Sequence, residues 1–227
     1  MKKHQSLYKM FLEKLINVII IVTIDIKMVT ILKTGYDKIM RLFYKDKSLS
    51  LHLREIARQT KLHGPSATRF LGSLEKDGIL KSKKDGNLKK YSLIKNKPAY
   101  LIFEIFDIER FEHLTNLRKS AVGHYLKKLE EKPVFAIVFG STAKGTSRED
   151  SDIDILIITN NKIDTKEAEK EADALTSIKI STFQMLYKEF LTELKLKEDM
   201  VIQSAVNTGF PIINNISYYE DLYNERI

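Results

Sequence analysis

The chain contains no cysteine, which excludes disulfides and thiol chemistry. That absence fits a reducing cytoplasm, where we expect the protein to reside. Histidine is sparse, and its spacing matches no metal-ligand pattern, so each of the five is expected at the surface or partly packed. They are His4, His52, His63, His113 and His124.

The chain also has no apolar run long enough to cross a membrane. Residues 16–24 are almost wholly apolar, but Asp25 and Lys27 interrupt them. A run this short does not span the ~30 Å hydrocarbon layer of a bilayer. No small-residue cleavage site follows, which argues against a signal peptide. We therefore expect no membrane partner, and we predict that residues 1–27 are peripheral, with Met28 as a natural start.

Charge is distributed unevenly. The whole chain carries a net charge of +8. Residues 33–97 hold 17 Lys and Arg against six acids, whereas residues 98–227 hold 16 against 22. A basic segment next to an acidic one indicates two modules with different partners, and the basic one is a candidate for binding nucleic acid.

The most informative pattern lies in the acidic part. A β-branched run ends in Gly140-Ser141, and a second apolar run covers residues 153–158. Asp152 and Asp154 begin the second run at i and i+2, so in a strand their side chains share one face. Neighbouring carboxylates repel each other unless a cation sits between them. Hard oxygen ligands of this kind suit Mg²⁺.

This pattern resembles the nucleotidyltransferase superfamily that includes DNA polymerase β, kanamycin nucleotidyltransferase and the minimal nucleotidyltransferases. The resemblance covers roughly residues 133–215. Gly-Ser and Asp-x-Asp are each weak signals, but together, at the edges of two apolar strands, they are strong. The matching residues are Gly140, Ser141, Lys144, Gly145, Ser151, Asp152 and Asp154.

The resemblance implies a site for a nucleoside triphosphate, with ATP as the expected nucleotide. Gly140 would let the backbone approach the triphosphate, because it has no Cβ. Ser141 would donate a hydrogen bond to a terminal phosphate oxygen, and Lys144 would also bind the nucleotide. Amides at the start of the spacer helix would face the phosphates. Asp152 and Asp154 would be the catalytic residues, binding a Mg²⁺ or Mn²⁺ ion that bridges the phosphates.

One part of the family's pattern is missing. The family usually places a third carboxylate in a following strand, for which residues 177–182 are the candidate. By alternation, the position flanked by Ile178 and Ile180 is Lys179, which is not an acid. Three explanations are open: another residue takes the role, the site holds only one metal, or catalysis is weak or lost. We expect nucleotide binding with slow or acceptor-restricted transfer.

The basic segment, residues 34–97, is predicted to contain three helices and a hairpin. Pro65 and Ser66 are start signals for the third helix, and Asp85-Gly86-Asn87 is a strong hairpin signal. The predicted elements are helices over residues 36–44, 53–60 and 67–76, and strands over residues 79–84 and 88–93.

This order resembles a winged helix-turn-helix domain. The resemblance implies that the third helix is a recognition helix and that the hairpin lysines contact DNA phosphates. The alternative is a protein-binding winged helix that joins two chains into a homodimer. The candidate DNA-binding residues are Ser66, Thr68, Arg69, Ser73, Lys83, Lys84, Lys89 and Lys90.

The predicted fold is therefore α+β: an N-terminal winged helix-turn-helix, a long linker helix and a C-terminal nucleotidyltransferase fold with a small mixed sheet and flanking helices. The linker helix is expected over residues 99–131, with a break near Gly123. A further amphipathic helix is expected over residues 182–196. The predicted divisions are residues 1–33 (extension), 34–97 (winged helix-turn-helix), 98–132 (linker helix) and 133–227 (nucleotidyltransferase domain).

Two functions follow from these patterns. The first is transfer of a nucleoside monophosphate from Mg-NTP to an acceptor hydroxyl, coupled to duplex DNA binding through residues 34–97. The acceptor is open between a protein side chain, a nucleic-acid end and a small molecule, and family analogy adds a toxin partner. The alternative is a DNA-binding regulator or antitoxin whose second domain binds nucleotide with weak catalysis or none.

Overall fold

The computed structural model describes residues 35–224, which form two compact units, residues 35–94 and residues 95–224. The predicted extension, residues 1–33, and the start at Met28 lie outside the described residues. Both units combine helices with a small sheet, which confirms the α+β class. Between residues 35 and 224, no helix has the length and apolarity needed to cross a membrane.

The first unit has three helices and a three-stranded antiparallel sheet of order β1-β3-β2. The three helices and the hairpin were predicted, whereas the short first strand was not. The elements are α1 (Gly35–Lys45), β1 (Ser50–His52), α2 (Leu53–Thr60), α3 (Gly64–Lys76), β2 (Leu80–Asp85) and β3 (Leu88–Leu93).

The hairpin between β2 and β3 forms because its turn residues suit a tight connection. Asp85 pairs with Leu88, which leaves a two-residue loop. Gly86 occupies the first loop position with a φ of 59°, and a type II′ turn reserves that position for glycine. The register then places Lys83 opposite Lys90 and Lys84 opposite Lys89.

The second unit surrounds a four-stranded sheet of order β6-β5-β4-β7. Its strands are β4 (Phe135–Phe139), β5 (Ile153–Thr159), β6 (Ile180–Leu186) and β7 (Phe210–Ile213). Its helices are α4 (Lys97–Glu112), α5 (Asn116–Lys128), α6 (Gly140–Lys144), α7 (Lys166–Thr176), α8 (Tyr187–Leu196), α9 (Met200–Thr208) and α10 (Asn215–Asn224).

The sheet is mixed, as the sequence predicted. β4 runs antiparallel to both β5 and β7, whereas β6 runs parallel to β5. One face packs against helices through a core that includes Tyr125, Val138, Ile155 and Ala172. All five residues of β4 are buried, because a central strand covered on both faces requires apolar side chains throughout.

Two predictions about helices are wrong. The expected linker helix is two helices, α4 and α5, and the break lies before Thr115 rather than at Gly123. The Thr115 side chain accepts a hydrogen bond from the Arg118 amide and so caps the N-terminus of α5. The helix expected over residues 182–196 begins at Tyr187, because residues 182–186 complete β6.

Candidate active site

Asp152 immediately precedes β5 and Asp154 is its second residue, at the end of the sheet where β4 also ends. Asp154 pairs with Phe139 of β4 on one side and with Ser181 of β6 on the other. Directly paired residues share a face of a sheet. Asp152 lies two positions before Asp154, so the strand brings both carboxylates to that same face. Asp152 is exposed and Asp154 is half-buried.

A glycine is required at position 140, where β4 ends and α6 begins. Its φ is 66°, in the left-handed region that other residues rarely adopt. A Cβ built at this position would overlap Oδ2 of Asp154. The turn therefore brings the backbone directly against a carboxylate, and a side chain would displace one or the other.

The electrostatics of the pair favour a bound cation. Burial raises the pKa of Asp154, and the neighbouring charge of Asp152 raises it further. Both effects penalise the ionised form, which is the form that binds metal. The two carboxylates supply the hard oxygen donors that Mg²⁺ and Mn²⁺ prefer. A divalent ion between Asp152 and Asp154 would remove the repulsion, so these residues fit the expected metal.

The other predicted nucleotide-binding residues lie on α6. Ser141 is half-buried and Lys144 is exposed at the end of the helix. Within residues 35–224, neither the Ser141 hydroxyl nor the Lys144 ammonium has a hydrogen-bond or ion-pair partner. Both groups are therefore free to contact a ligand. Gly145 then ends α6 with a φ of 69°.

A buried arginine, which sequence reasoning missed, holds the loop that leads to the acids. Arg118 of α5 is 5% exposed. It donates to the Thr142 hydroxyl at 3.0 Å, to the Arg148 carbonyl at 2.9 Å and to the Ser151 carbonyl at 2.7 Å. The Thr142 hydroxyl is itself 3.5 Å from the Asp152 carbonyl. Arg118 thereby fixes α6 and the residues before Asp152 relative to each other.

The register of β6 places Ser181, rather than Lys179, beside Asp154. Lys179 precedes β6, and its carbonyl accepts a hydrogen bond from the Ile153 amide at 2.9 Å. Ser181 is the residue beside Asp154, and its hydroxyl donates to Asp152 Oδ2 at 3.1 Å. Among residues 35–224, no third acid, histidine or cysteine joins the pair in a metal-binding group.

An aromatic pair lies next to the acids on the same face of the sheet. Phe183 follows Ser181 by two positions on β6, so the two side chains point the same way. Its ring lies 5.4 Å from the Phe139 ring in an edge-to-face arrangement. Phe183 is 39% exposed, so an apolar surface borders the two carboxylates.

The candidate recognition residues on α3 differ in exposure. Thr68 and Arg69 are exposed, whereas Ser66 and Ser73 are half-buried. The Thr68 hydroxyl donates to the Gly64 carbonyl at 3.0 Å. The Arg69 guanidinium lies over the ring of Phe70, 5.0 Å from its centre. Of these four residues, Arg69 has the longest hydrogen-bond-donating side chain exposed to solvent.

The hairpin lysines fall into two groups. Lys90 pairs with Asp85 at 2.8 Å, and Lys89 pairs with Glu75 at 3.6 Å. Lys90 and His52 both hold the pKa of Asp85 below its usual range, with Lys90 the larger cause. Lys83 and Lys84 are exposed and have no ion-pair partner within the described residues.

Comparison with known proteins supports the resemblance of the acidic segment, residues 98–227, to nucleotidyltransferases. Residues 121–216 match the family model described as polymerase beta, nucleotidyltransferase. That segment includes β4 to β7, α6 and both acids. No curated protein matches the chain.

A solved structure described as that of TrmBL2, an archaeal chromatin protein with a novel mode of DNA binding, is 19% identical over 71% of this chain and 75% of that chain, with a TM-score of 0.21. A TM-score this low does not establish a shared fold.

Proposed function

We propose that the chain transfers a nucleoside monophosphate from an NTP, with ATP as the expected donor, to an acceptor hydroxyl. The observation that carries this proposal is the position of Gly140 against the carboxylate of Asp154. Gly140 has no Cβ and lies against Asp154, two positions after Asp152. This arrangement suits a metal-bound triphosphate, since the phosphates need close approach to the backbone and the acids need a cation.

Each residue of the site has a role in this proposal. Asp152 and Asp154 would hold Mg²⁺ or Mn²⁺, and the ion would neutralise phosphate charge during transfer. Ser141 and Lys144 would donate to phosphate oxygens, because both donors are uncommitted within residues 35–224. Arg118 would keep Asp152 in place through the loop that it binds.

We further propose that residues 35–94 form a winged helix-turn-helix that binds duplex DNA. The support is the order of elements, the basic composition and the exposed lysines of the hairpin. α3 would be the recognition helix and β2-β3 the wing, with Lys83 and Lys84 on phosphates. We also propose a cytoplasmic location, since DNA binding and the absence of cysteine both fit that compartment.

A second candidate function is favoured by one observation: among residues 35–224, no third acid joins Asp152 and Asp154 in a metal-binding group. In this alternative the chain is a DNA-binding regulator or antitoxin that binds nucleotide without turnover. A protein acceptor such as a toxin, and a homodimer, fit either function.

Labelled nucleotides distinguish the two functions. The full-length chain is incubated with each of the four NTPs, labelled, together with Mg²⁺ and protein, nucleic-acid or small-molecule acceptors. Pyrophosphate release together with label on an acceptor supports transfer. Nucleotide binding that depends on Asp152 and Asp154, without pyrophosphate release under any of these conditions, supports the regulator. No nucleotide binding at all contradicts both.

A further inference from the structure

A serine is the neighbour of Asp154 on the acid face of the sheet. β5 and β6 are parallel, and their register places Ser181 directly beside Asp154. Phe139 occupies the other side of Asp154. The only polar side chain paired with Asp154 within the sheet is therefore a neutral hydroxyl.

The Ser181 hydroxyl already has a partner. It donates its proton to Oδ2 of Asp152 at 3.1 Å. This bond fixes the orientation of the Asp152 carboxylate and directs the serine hydrogen at an anion. Residues that orient a metal ligand in this way typically affect metal affinity by about 10- to 100-fold.

The charge of the site matches one divalent ion. Asp152 and Asp154 together supply two negative charges, which one divalent cation balances. A second cation would have no carboxylate of its own among residues 35–224 and would have to share Asp152 and Asp154 with the first. Within residues 35–224, no group of three or more acids, histidines or cysteines is available to hold it. Lys179, which adjoins β6, is a cation and cannot serve as a further carboxylate.

From these observations we propose that the site binds a single divalent cation together with its nucleotide, and that Ser181 is a positioning residue for Asp152. This inference rests on the proposed nucleotide site. It assigns position 181, rather than 179, as the place where the chain departs from a two-cation arrangement.

Equilibrium dialysis tests the stoichiometry on the full-length chain. Mn²⁺ is added with an ATP analogue that has a methylene group between the α and β phosphates, and the Mn²⁺ bound per bound nucleotide is measured. We expect one Mn²⁺ for the wild-type chain and two for Ser181→Asp. Lys179→Asp is the matched control, because it adds a carboxylate two residues away, and it should still bind one.

The outcomes separate this inference from the proposed function. Two Mn²⁺ in the wild-type chain would overturn the inference and leave the nucleotide site intact. Absence of both Mn²⁺ and nucleotide would overturn the proposed function itself. One Mn²⁺ in Ser181→Asp, or two in Lys179→Asp, would show that position 181 is not the missing ligand position.

Ser181→Ala tests the positioning role without adding charge. It should keep the stoichiometry of one and weaken Mn²⁺ affinity about 10-fold, as measured by electron paramagnetic resonance of free Mn²⁺. Unchanged affinity would show that the hydroxyl does not position Asp152. Thermal unfolding of each variant establishes that it is folded before binding is measured.

Discussion

The two units use positive charge in opposite ways. In residues 35–94 the lysines of the hairpin are at the surface, where Lys83 and Lys84 are exposed and Lys90 meets Asp85 in a partly exposed pair. In residues 95–224, Arg118 is buried and binds a hydroxyl and two backbone carbonyls. Surface cations are available to a partner, whereas the buried one maintains the fold of the site.

Arg110 of the second unit follows the same inward pattern. It donates to the carbonyls of Ala143, Thr208 and Gly209 at 2.8, 2.9 and 3.1 Å. Its guanidinium also lies 4.4 Å from the centre of the Phe210 ring. Two arginines therefore satisfy carbonyls around α6, so removing either of these two charges also removes hydrogen bonds that hold the fold.

The largest expected effect in the second unit comes from removing the acids themselves. Asp152→Asn with Asp154→Asn leaves the shape of the site but removes both negative charges. Metal-dependent nucleotide affinity should fall by more than about 100-fold, since in the proposed site these residues bind the metal directly rather than through a neighbour. Calorimetry with Mg-ATP measures the loss. Unchanged affinity in the double variant would show that the nucleotide site is elsewhere.

Removing the buried arginine should destabilise the fold as well as the site. Arg118→Met leaves two carbonyls and a hydroxyl without their donor, which should cost about 3 kcal/mol of unfolding free energy. Denaturant unfolding measures this cost. Arg148→Met is the control, because its exposed side chain makes no hydrogen bond or ion pair within residues 35–224, and it should change stability little. Equal effects in the two variants would contradict the role given to Arg118.

The surface lysines should affect binding without affecting folding. Lys83→Ala with Lys84→Ala should weaken duplex DNA binding for every sequence and reduce the slope of log K against log[salt] by about two. Lys89→Ala with Lys90→Ala removes the same charge from residues already paired with acids, and its effect should be smaller. Fluorescence anisotropy over a salt series compares them. If the wild-type chain does not bind duplex DNA even at low salt, the protein-binding alternative is favoured.

The smallest expected effect is a gain in stability. The pKa of Asp154 is raised in the folded chain, so the folded state holds this proton more tightly than the unfolded state does. Ionised Asp154 therefore lowers stability above its folded pKa, and this penalty disappears below the unfolded value of about 3.9. Without metal, Asp154→Asn should raise the melting temperature at pH 7 by a few degrees at most, and the gain should shrink towards pH 4. If the melting temperature rises by the same amount at every pH in this range, the cause is packing rather than the charge of Asp154.

Local patterns were predictable from the sequence. The turn at Gly86 and the pair of acids after Gly140-Ser141 each depend on residues close together in the chain. The helix boundaries of the first unit were predicted to within a few residues, because apolar spacing and the Pro65 start signal are short-range.

Contacts between distant residues were not predictable. Arg118 reaches Thr142 across 24 positions and Ser151 across 33, and nothing in the spacing of α5 indicates that arginine. The third-ligand position shows the limit clearly. Alternation pointed to Lys179, between Ile178 and Ile180, whereas the pairing of β6 with β5 places Ser181 beside Asp154.

The exposed aromatic beside the acids has a practical consequence for spectroscopy. The chain contains no tryptophan, so the tryptophan emission of Phe183→Trp would come from one known position. Phe183 is 39% exposed and its ring meets Phe139, so an indole there would report a change of polarity when a ligand covers this face. That single tryptophan would follow nucleotide binding in real time, independently of any turnover.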